Sequence, residues 1–182
     1  MLCKLNLNPA WLATVTAQLQ SGHENSSEES IFKQYLTSDL RLSCTGTLPA
    51  DCATLTSSTP GGYTLQGSYV LQLEDWCNIA LDEESRRTNA ENEIKRGTSD
   101  EMSNNSGANA KRTLLLTLTD GVTSISALEV EELPNNFIQA LRHYQIPGLK
   151  VSLSSTSVRH GMLMLSKNSI TILGGNPKIP PF

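Results

Sequence analysis

Apolar and polar residues alternate most regularly over residues 111–175, and this stretch predicts a series of short strands. Leu114, Leu116 and Leu118 take every second position; after Asp120-Gly121 the two-residue period resumes, with Val122, Ser124, Ser126 and Leu128 set against Thr123, Ile125, Ala127 and Glu129. Two strands joined tightly fit this pattern, and Asp120-Gly121 suits a two-residue type I′ turn with positive φ at both central positions. Leu149, Val151 and Leu153 then alternate with Lys150, Ser152 and Ser154. Beyond a polar bend, Met162-Leu163-Met164-Leu165 is short and wholly apolar, and residues 170–173 make one more strand before Gly174-Gly175.

The period changes upstream. Asn8 with Pro9 begins a helix whose Trp11, Leu12, Val15 and Leu19 recur at helical spacing, and Ser21-Gly22 ends it. Ser26 or Ser27 caps a second helix, with Glu28 and Glu29 at the positive end of its dipole and Ile31, Phe32, Tyr35, Leu36 and Leu40 along one stripe. A single stripe on each demands a covering partner, so a small helical bundle docked on the strands is expected. Residues 45–62, rich in Thr, Ser, Pro and Gly, read as a linker. In the strand that follows, Tyr69, Leu71 and Leu73 share a face, the strand character persists to Ile79, and Gly67 marks a bulge. After the Leu114 hairpin, Pro134 and Asn135 open a helix carrying Phe137, Ile138, Leu141 and Tyr144, closed by Ile146-Pro147-Gly148.

Strand, hairpin, helix and hairpin in that order predict a mainly β domain with α: a five-stranded Greek-key OB-fold barrel over residues 63–182, preceded by the helical bundle over 1–44 and the linker. Residues 82–110 form a long insertion between the first and second strands. They carry Asp82, Glu83, Glu84, Arg86, Arg87, Lys95 and Arg96, with Ile94 and Met102 as the large apolar residues, and cannot bury a core of their own. Such a segment is either a neutral insertion, tolerated because closure entropy grows slowly with length, or one that orders on a partner.

Composition narrows the function. The 182 residues suit one domain, or one domain with a small appendage, able to bury a real core, and the net charge of −4 lowers the prior for tight DNA binding through phosphates. Cys3, Cys44, Cys52 and Cys77 lack the spacing of a disulfide framework or a metal site, and reduced thiols in an intracellular, soluble protein are expected, with no membrane segment. His23, His143 and His160 have no partners at catalytic or zinc spacing, and neither Gly61-Gly62 nor Gly174-Gly175 has the setting of a phosphate loop. The expectation is therefore no enzyme, no metal, no cofactor and no small-molecule substrate. An OB barrel raises the alternative of a single-stranded nucleic-acid-binding module, but the second to fifth strands offer no aromatic for base stacking. A protein partner is favoured, docking along the barrel edge formed by Lys150, Arg159, Met162, Leu163, Met164 and Leu165, where methionines supply an adaptable surface; the alternative is that both faces of the 162–165 strand are simply buried.

Taken together, Trp11-Leu12, residues 35–40, Leu65-x-Gly67-x-Tyr69-x-Leu71-Gln72 with Asn78-Ile79, residues 116–121 with Ala127-Leu128-Glu129, Pro147-Gly148-x-Lys150, Arg159-x-Gly161 followed by residues 162–165, and Ile172-Leu173-Gly174-Gly175 form an ordered set. It resembles the amino-terminal part of the RecQ-mediated genome instability protein 1 family, over nearly the whole chain. The resemblance implies a nuclear, noncatalytic partner of topoisomerase III, a type IA enzyme, working with a RecQ-family helicase in decatenation and double Holliday junction dissolution, with weak or indirect DNA contact. It also implies that residues 82–110, with Asp82, Arg86, Arg87, Ile94, Lys95, Arg96 and Met102, act as a loop that modulates the topoisomerase's gate. Larger members of the family carry a second OB domain that recruits another small OB subunit. A tudor-domain relative shares the barrel signature without so long an insertion.

Overall fold

The first barrel strand, β1 (Tyr63–Asn78), serves two neighbours. Its first half runs antiparallel to β4 (Lys150–Arg159) and its second half antiparallel to β2 (Leu114–Thr119). In this computed structural model of the chain the described residues are 5–21, 27–50, 52, 62–80, 112–143 and 148–175; the insertion 82–110 and Tyr144 lie outside them. A strand bending round two sheets must break its pairing, and β1 does so twice, between Leu65 and Ser68 and between Leu73 and Asp75. Gly67, in the first break, has φ of 99°, as the bulge read from the sequence requires.

β2 pairs with β3 (Ser124–Glu129), β3 runs parallel to β5 (Met162–Leu165), and β5 returns to β4, closing the barrel. β6 (Ile170–Gly174) pairs antiparallel with the first half of β4. Because β1 occupies one edge of β4 along its length, β5 and β6 share the other end to end. They act as one fifth strand interrupted at residues 166–169, where Ser169 closes a turn through its backbone and side-chain bonds to Ser166. The result is a closed five-stranded OB barrel with an N-terminal helical region.

The two-residue period sets the core. Leu114, Leu116, Leu118, Ile125 and Ala127 point inward with Leu71, Leu73, Leu163 and Leu165. Phe137 and Leu141 of α4 (Asn135–His143) join them as the helix expected between the third and fourth strands. Its ladder begins at Pro134, whose carbonyl accepts from Ile138 N at 3.2 Å.

Three local expectations change. Asp120-Gly121 is not a two-residue turn: residues 120–123 form the loop, Gly121 has φ of 95°, and Asp120 stays out of the positive-φ region. The left-handed pair that a type I′ turn needs occurs instead at His160 and Gly161, with φ of 51° and 72°, because β4 runs on to Arg159. The polar bend expected near Ser155 is a kink within β4, facing the β1 bulge, with Ser155 at φ of 47°. The second helix divides: α2 (Glu28–Thr37) stops where Ser38 becomes extended and bonds back to Tyr35 O, and Asp39 caps a single turn, α3 (Leu40–Ser43). The first helix, α1 (Pro9–Ser21), starts as expected, with Asn8 Oδ1 accepting from Ala10 N.

The helical region meets the barrel on the outside of β1, at Val70. Tyr35 and Leu40, both fully buried, pack with Cys44, and Trp11, Phe32 and Val70 of β1 lie against them. Burying each such side chain contributes roughly 1.5–3 kcal/mol. The described part of the supposed linker is also fixed: Leu48 packs on the barrel core, and Cys52 lies fully buried within it.

Candidate partner-binding wall and insertion root

Alternation that sends one set of side chains inward leaves the other set on the outer wall, and the register aligns them across strands. Cys77, Leu115, Leu128 and Met164 are successive cross-strand partners on β1, β2, β3 and β5, forming a half-buried apolar row. Beside it, Asp75, Thr117, Ser126, Met162 and Arg159 form a second row, polar but for its methionine, with Asp75 and Arg159 exposed at its ends. Leu115, Leu128 and Cys77 were not singled out from sequence. Their signal was present in the alternation, but only pairing register shows that they meet Met164.

The edge proposed from sequence therefore separates into two groups. Arg159, Met162 and Met164 lie on the outer wall. Leu163 and Leu165 are fully buried in the core and are corrected to structural positions, since strand alternation turns them inward. Lys150 is corrected likewise. It is fully buried, and its Nζ donates to Leu36 O at 3.0 Å and Ser38 O at 2.6 Å, with Gly148 O at 3.5 Å. Burial lowers its pKa to about 8, while the Asp39 carboxylate pulls the other way. Lys150 thus supplies donors to carbonyls at the end of α2, a role that sequence spacing could not disclose.

The described residues that flank the insertion meet at one point. Ile79 N donates to Thr113 O at 2.8 Å, and Asn78 Oδ1 accepts from Ala80 N and from Thr113 N, each at 3.1 Å. On the returning side Glu129 accepts from Arg112 Nη2 at 2.9 Å and Nε at 3.4 Å, from Leu114 N at 2.9 Å and from Leu133 N at 3.1 Å. Burial alone would raise the Glu129 pKa; the Arg112 guanidinium and the two backbone donors overcome it and hold the carboxyl below its usual range. Asp82, Arg86, Arg87, Ile94, Lys95, Arg96 and Met102 fall outside the described residues.

A buried polar seam joins helices to barrel. Asp120, fully buried, accepts from Thr47 N at 2.6 Å, Leu48 N at 2.7 Å, Val122 N at 2.9 Å and Thr123 N at 2.7 Å. Its pKa is lowered because these four backbone donors outweigh desolvation. Gln72 accepts from Leu40 N at 3.0 Å and donates to Asp39 Oδ1 at 3.2 Å; at the exposed rim of the seam Arg41 pairs with Glu74, which also accepts from Ser124 Oγ. Gly121 lies so close to Leu40 O that a Cβ would stand 2.3 Å from it. Burial pushes the Cys44 thiol up, away from the thiolate that reactive chemistry needs. Among the described residues no group of His, Cys, Asp and Glu side chains is placed to hold a metal ion.

Comparison with known proteins places this geometry. The family described as "RMI1, N-terminal OB-fold domain" matches residues 48–178. The RecQ-mediated genome instability protein 1 of Arabidopsis thaliana is 31% identical over 144 residues, covering 79% of this chain and 18% of the plant protein. The protein of that name from Xenopus laevis is 32% identical over 151 residues, covering 80% and 25%, and that from Mus musculus 27% over 179 residues, covering 92% and 27%. The chain spans between 18% and 27% of the length of these relatives. Strand order, closing pairs and the intervening helix define an OB-fold domain with a helical entry. The chain belongs to the RecQ-mediated genome instability protein 1 family, as its N-terminal OB-fold region.

Proposed function

We propose that the chain is a noncatalytic scaffold subunit acting in the nucleus, which binds topoisomerase III through the outer wall of its barrel and modulates the enzyme's DNA gate through residues 82–110. In partnership with a RecQ-family helicase it promotes decatenation and double Holliday junction dissolution. The relatives' name supplies the link to RecQ and genome stability. The observation that carries the reading is the insertion root: Ile79 and Thr113, which bracket the insertion in sequence, are hydrogen-bonded neighbours on the barrel. An excursion closed in this way can contact a partner without disturbing the barrel. It shifts a gate equilibrium only by binding the open and closed states unequally.

The reading separates gripping from modulation, and two variants test the separation. Replacing 82–110 by a short Gly-Ser linker leaves the thermal midpoint and the topoisomerase III pull-down intact and abolishes stimulation of decatenation. Met164→Glu places a charge in the apolar row and weakens the pull-down affinity by about 30-fold, the size of a hot-spot loss, with the barrel still folded. If excision leaves stimulation unchanged, the loop has no part in modulation. Steeply salt-dependent, micromolar single-strand binding by the chain would instead identify a nucleic-acid module.

A further inference from the structure

Backbone pairing on the barrel runs one residue past the ends of β1 and β3. Ile79, next after β1, donates its N–H to Thr113 O at 2.8 Å, and Val130, next after β3, donates to Leu165 O at 3.0 Å. The two-residue period therefore carries the outward side from Cys77 to Ile79 and from Leu128 to Val130. Ile79 is 43% exposed and Val130 52%. Among the described residues four large apolar residues are exposed, and these two are the ones that extend the apolar row of the wall, Leu42 and Val122 lying on α3 and the β2–β3 loop. Cys77, Leu115, Leu128 and Met164, with Ile79 and Val130 at their margin, thus make one continuous outer patch. A contiguous patch of this kind marks a surface that another molecule covers.

The margin beyond Val130 is acidic. Glu131 and Glu132 are both exposed, and Glu131 N donates to Leu165 O at 3.3 Å, which keeps that residue beside the patch. Among the described residues neither carboxylate has a cationic partner, whereas the Arg112 charge is taken up by Glu129. Such a margin repels phosphate and attracts basic side chains.

We propose that this patch, with Val130 as its exposed anchor and Glu131 and Glu132 as its rim, is the contact that topoisomerase III covers, and that the enzyme meets it with an apolar surface bordered by lysine or arginine side chains. The inference rests on the gripping half of the functional reading above and makes no use of residues 82–110. It adds what the partner must present: the apolar centre excludes water, while the acidic rim selects a basic border and turns nucleic acid away from this barrel face.

The test measures affinity and association rate for topoisomerase III over a range of salt, with thermal midpoints. The chains are wild type, Val130→Ser, the double variant Glu131→Lys with Glu132→Lys, Met164→Glu, and Val122→Ser as a control on an exposed valine elsewhere. Because Val130, Glu131 and Glu132 are exposed, their variants keep the wild-type midpoint. Val130→Ser is expected to weaken binding about tenfold through faster dissociation, and Val122→Ser to leave it unchanged. The double lysine variant is expected to slow association about tenfold at low salt, a gap that closes as salt is raised. If Met164→Glu weakens binding but Val130→Ser does not, the anchor is overturned and the functional reading stands. Wild-type association by the lysine variant at every salt concentration overturns the basic border. Single-strand binding that Val130→Ser abolishes would assign the patch to nucleic acid and overturn the proposal. If Met164→Glu and Val130→Ser both bind topoisomerase III as wild type does, the functional reading fails, and this inference with it.

Discussion

Asp120→Ala lowers stability by about 3–5 kcal/mol and the thermal midpoint by about 10 °C or more. The size follows from the number of donors left behind. Four backbone N–H groups, of Thr47, Leu48, Val122 and Thr123, converge on one buried carboxylate, and each unsatisfied buried donor costs about 1–3 kcal/mol before relaxation. Val122 and Thr123 belong to the β2–β3 loop, whereas Thr47 and Leu48 belong to the segment between helices and barrel. Losing the carboxylate therefore loosens both. Asp120→Asn, with one acceptor oxygen in place of two, falls between alanine and wild type. The pH dependence has a defined sign. The Asp120 pKa is lowered in the folded chain, so its stabilisation is fully present above the ordinary value of 3.8 and is lost as pH falls through the lower folded value. Glu129 loses stabilisation over a similar acid range in every variant, so the difference between wild type and Asp120→Ala isolates Asp120. Urea unfolding at neutral pH and at stepped acid pH measures it. A difference that does not shrink towards acid would show that the carboxylate is not the group responsible.

The barrel was legible because its information is local. Alternation at Leu114, Leu116 and Leu118, a glycine at the bulge, and a helix stripe at Phe137 and Leu141 all announce themselves within a few residues, and each is found. What failed was information held between distant segments. Lys150 reads as the solvent side of an alternating strand, yet α2, over a hundred residues earlier, ends above it and turns two carbonyls towards its ammonium. Leu40 continues the α2 stripe on spacing alone; Ser38 breaks the helix because local side-chain bonds compete with the next turn. Asp120-Gly121 signalled a turn, but the turn type was decided by Asp120 reaching across to Thr47 and Leu48. The candidate site divides in the same way. Met162 and Met164 were visible as apolar residues on a short strand, whereas Leu115 and Leu128 joined them only once register was known. The Arg112–Glu129 pair spans the hairpin, and neither residue has a sequence neighbour that signals it.

Lys150→Met is expected to weaken the chain by about 1–3 kcal/mol near neutral pH, and by more as the solution becomes alkaline. Methionine nearly matches lysine in length but gives no donor to Leu36 O and Ser38 O, so the end of α2 loses its attachment to the barrel. Relief of a buried charge offsets part of that loss. The offset is what makes the effect depend on pH. Burial lowers the folded-state pKa to about 8 from 10.5, so between those values the unfolded chain holds the proton that the folded chain has released. With more protons on the unfolded state, stability rises with pH across this window, by up to about 3 kcal/mol for a fully expressed shift. The neutral amine still carries two N–H donors for the two carbonyls, so deprotonation removes the desolvation penalty while the seam stays bonded. Cys44 and Tyr35 act oppositely, since their raised pKa values withdraw stability as pH climbs, but both residues are present in wild type and variant and cancel in the difference. Urea unfolding of the two proteins at pH 7.5, 9 and 10 should therefore show the wild-type advantage growing with each step. A constant difference would mean that the ammonium is solvated in the folded chain, and that the helices are held to the barrel by Asp120, Gln72 and the Tyr35 cluster without it.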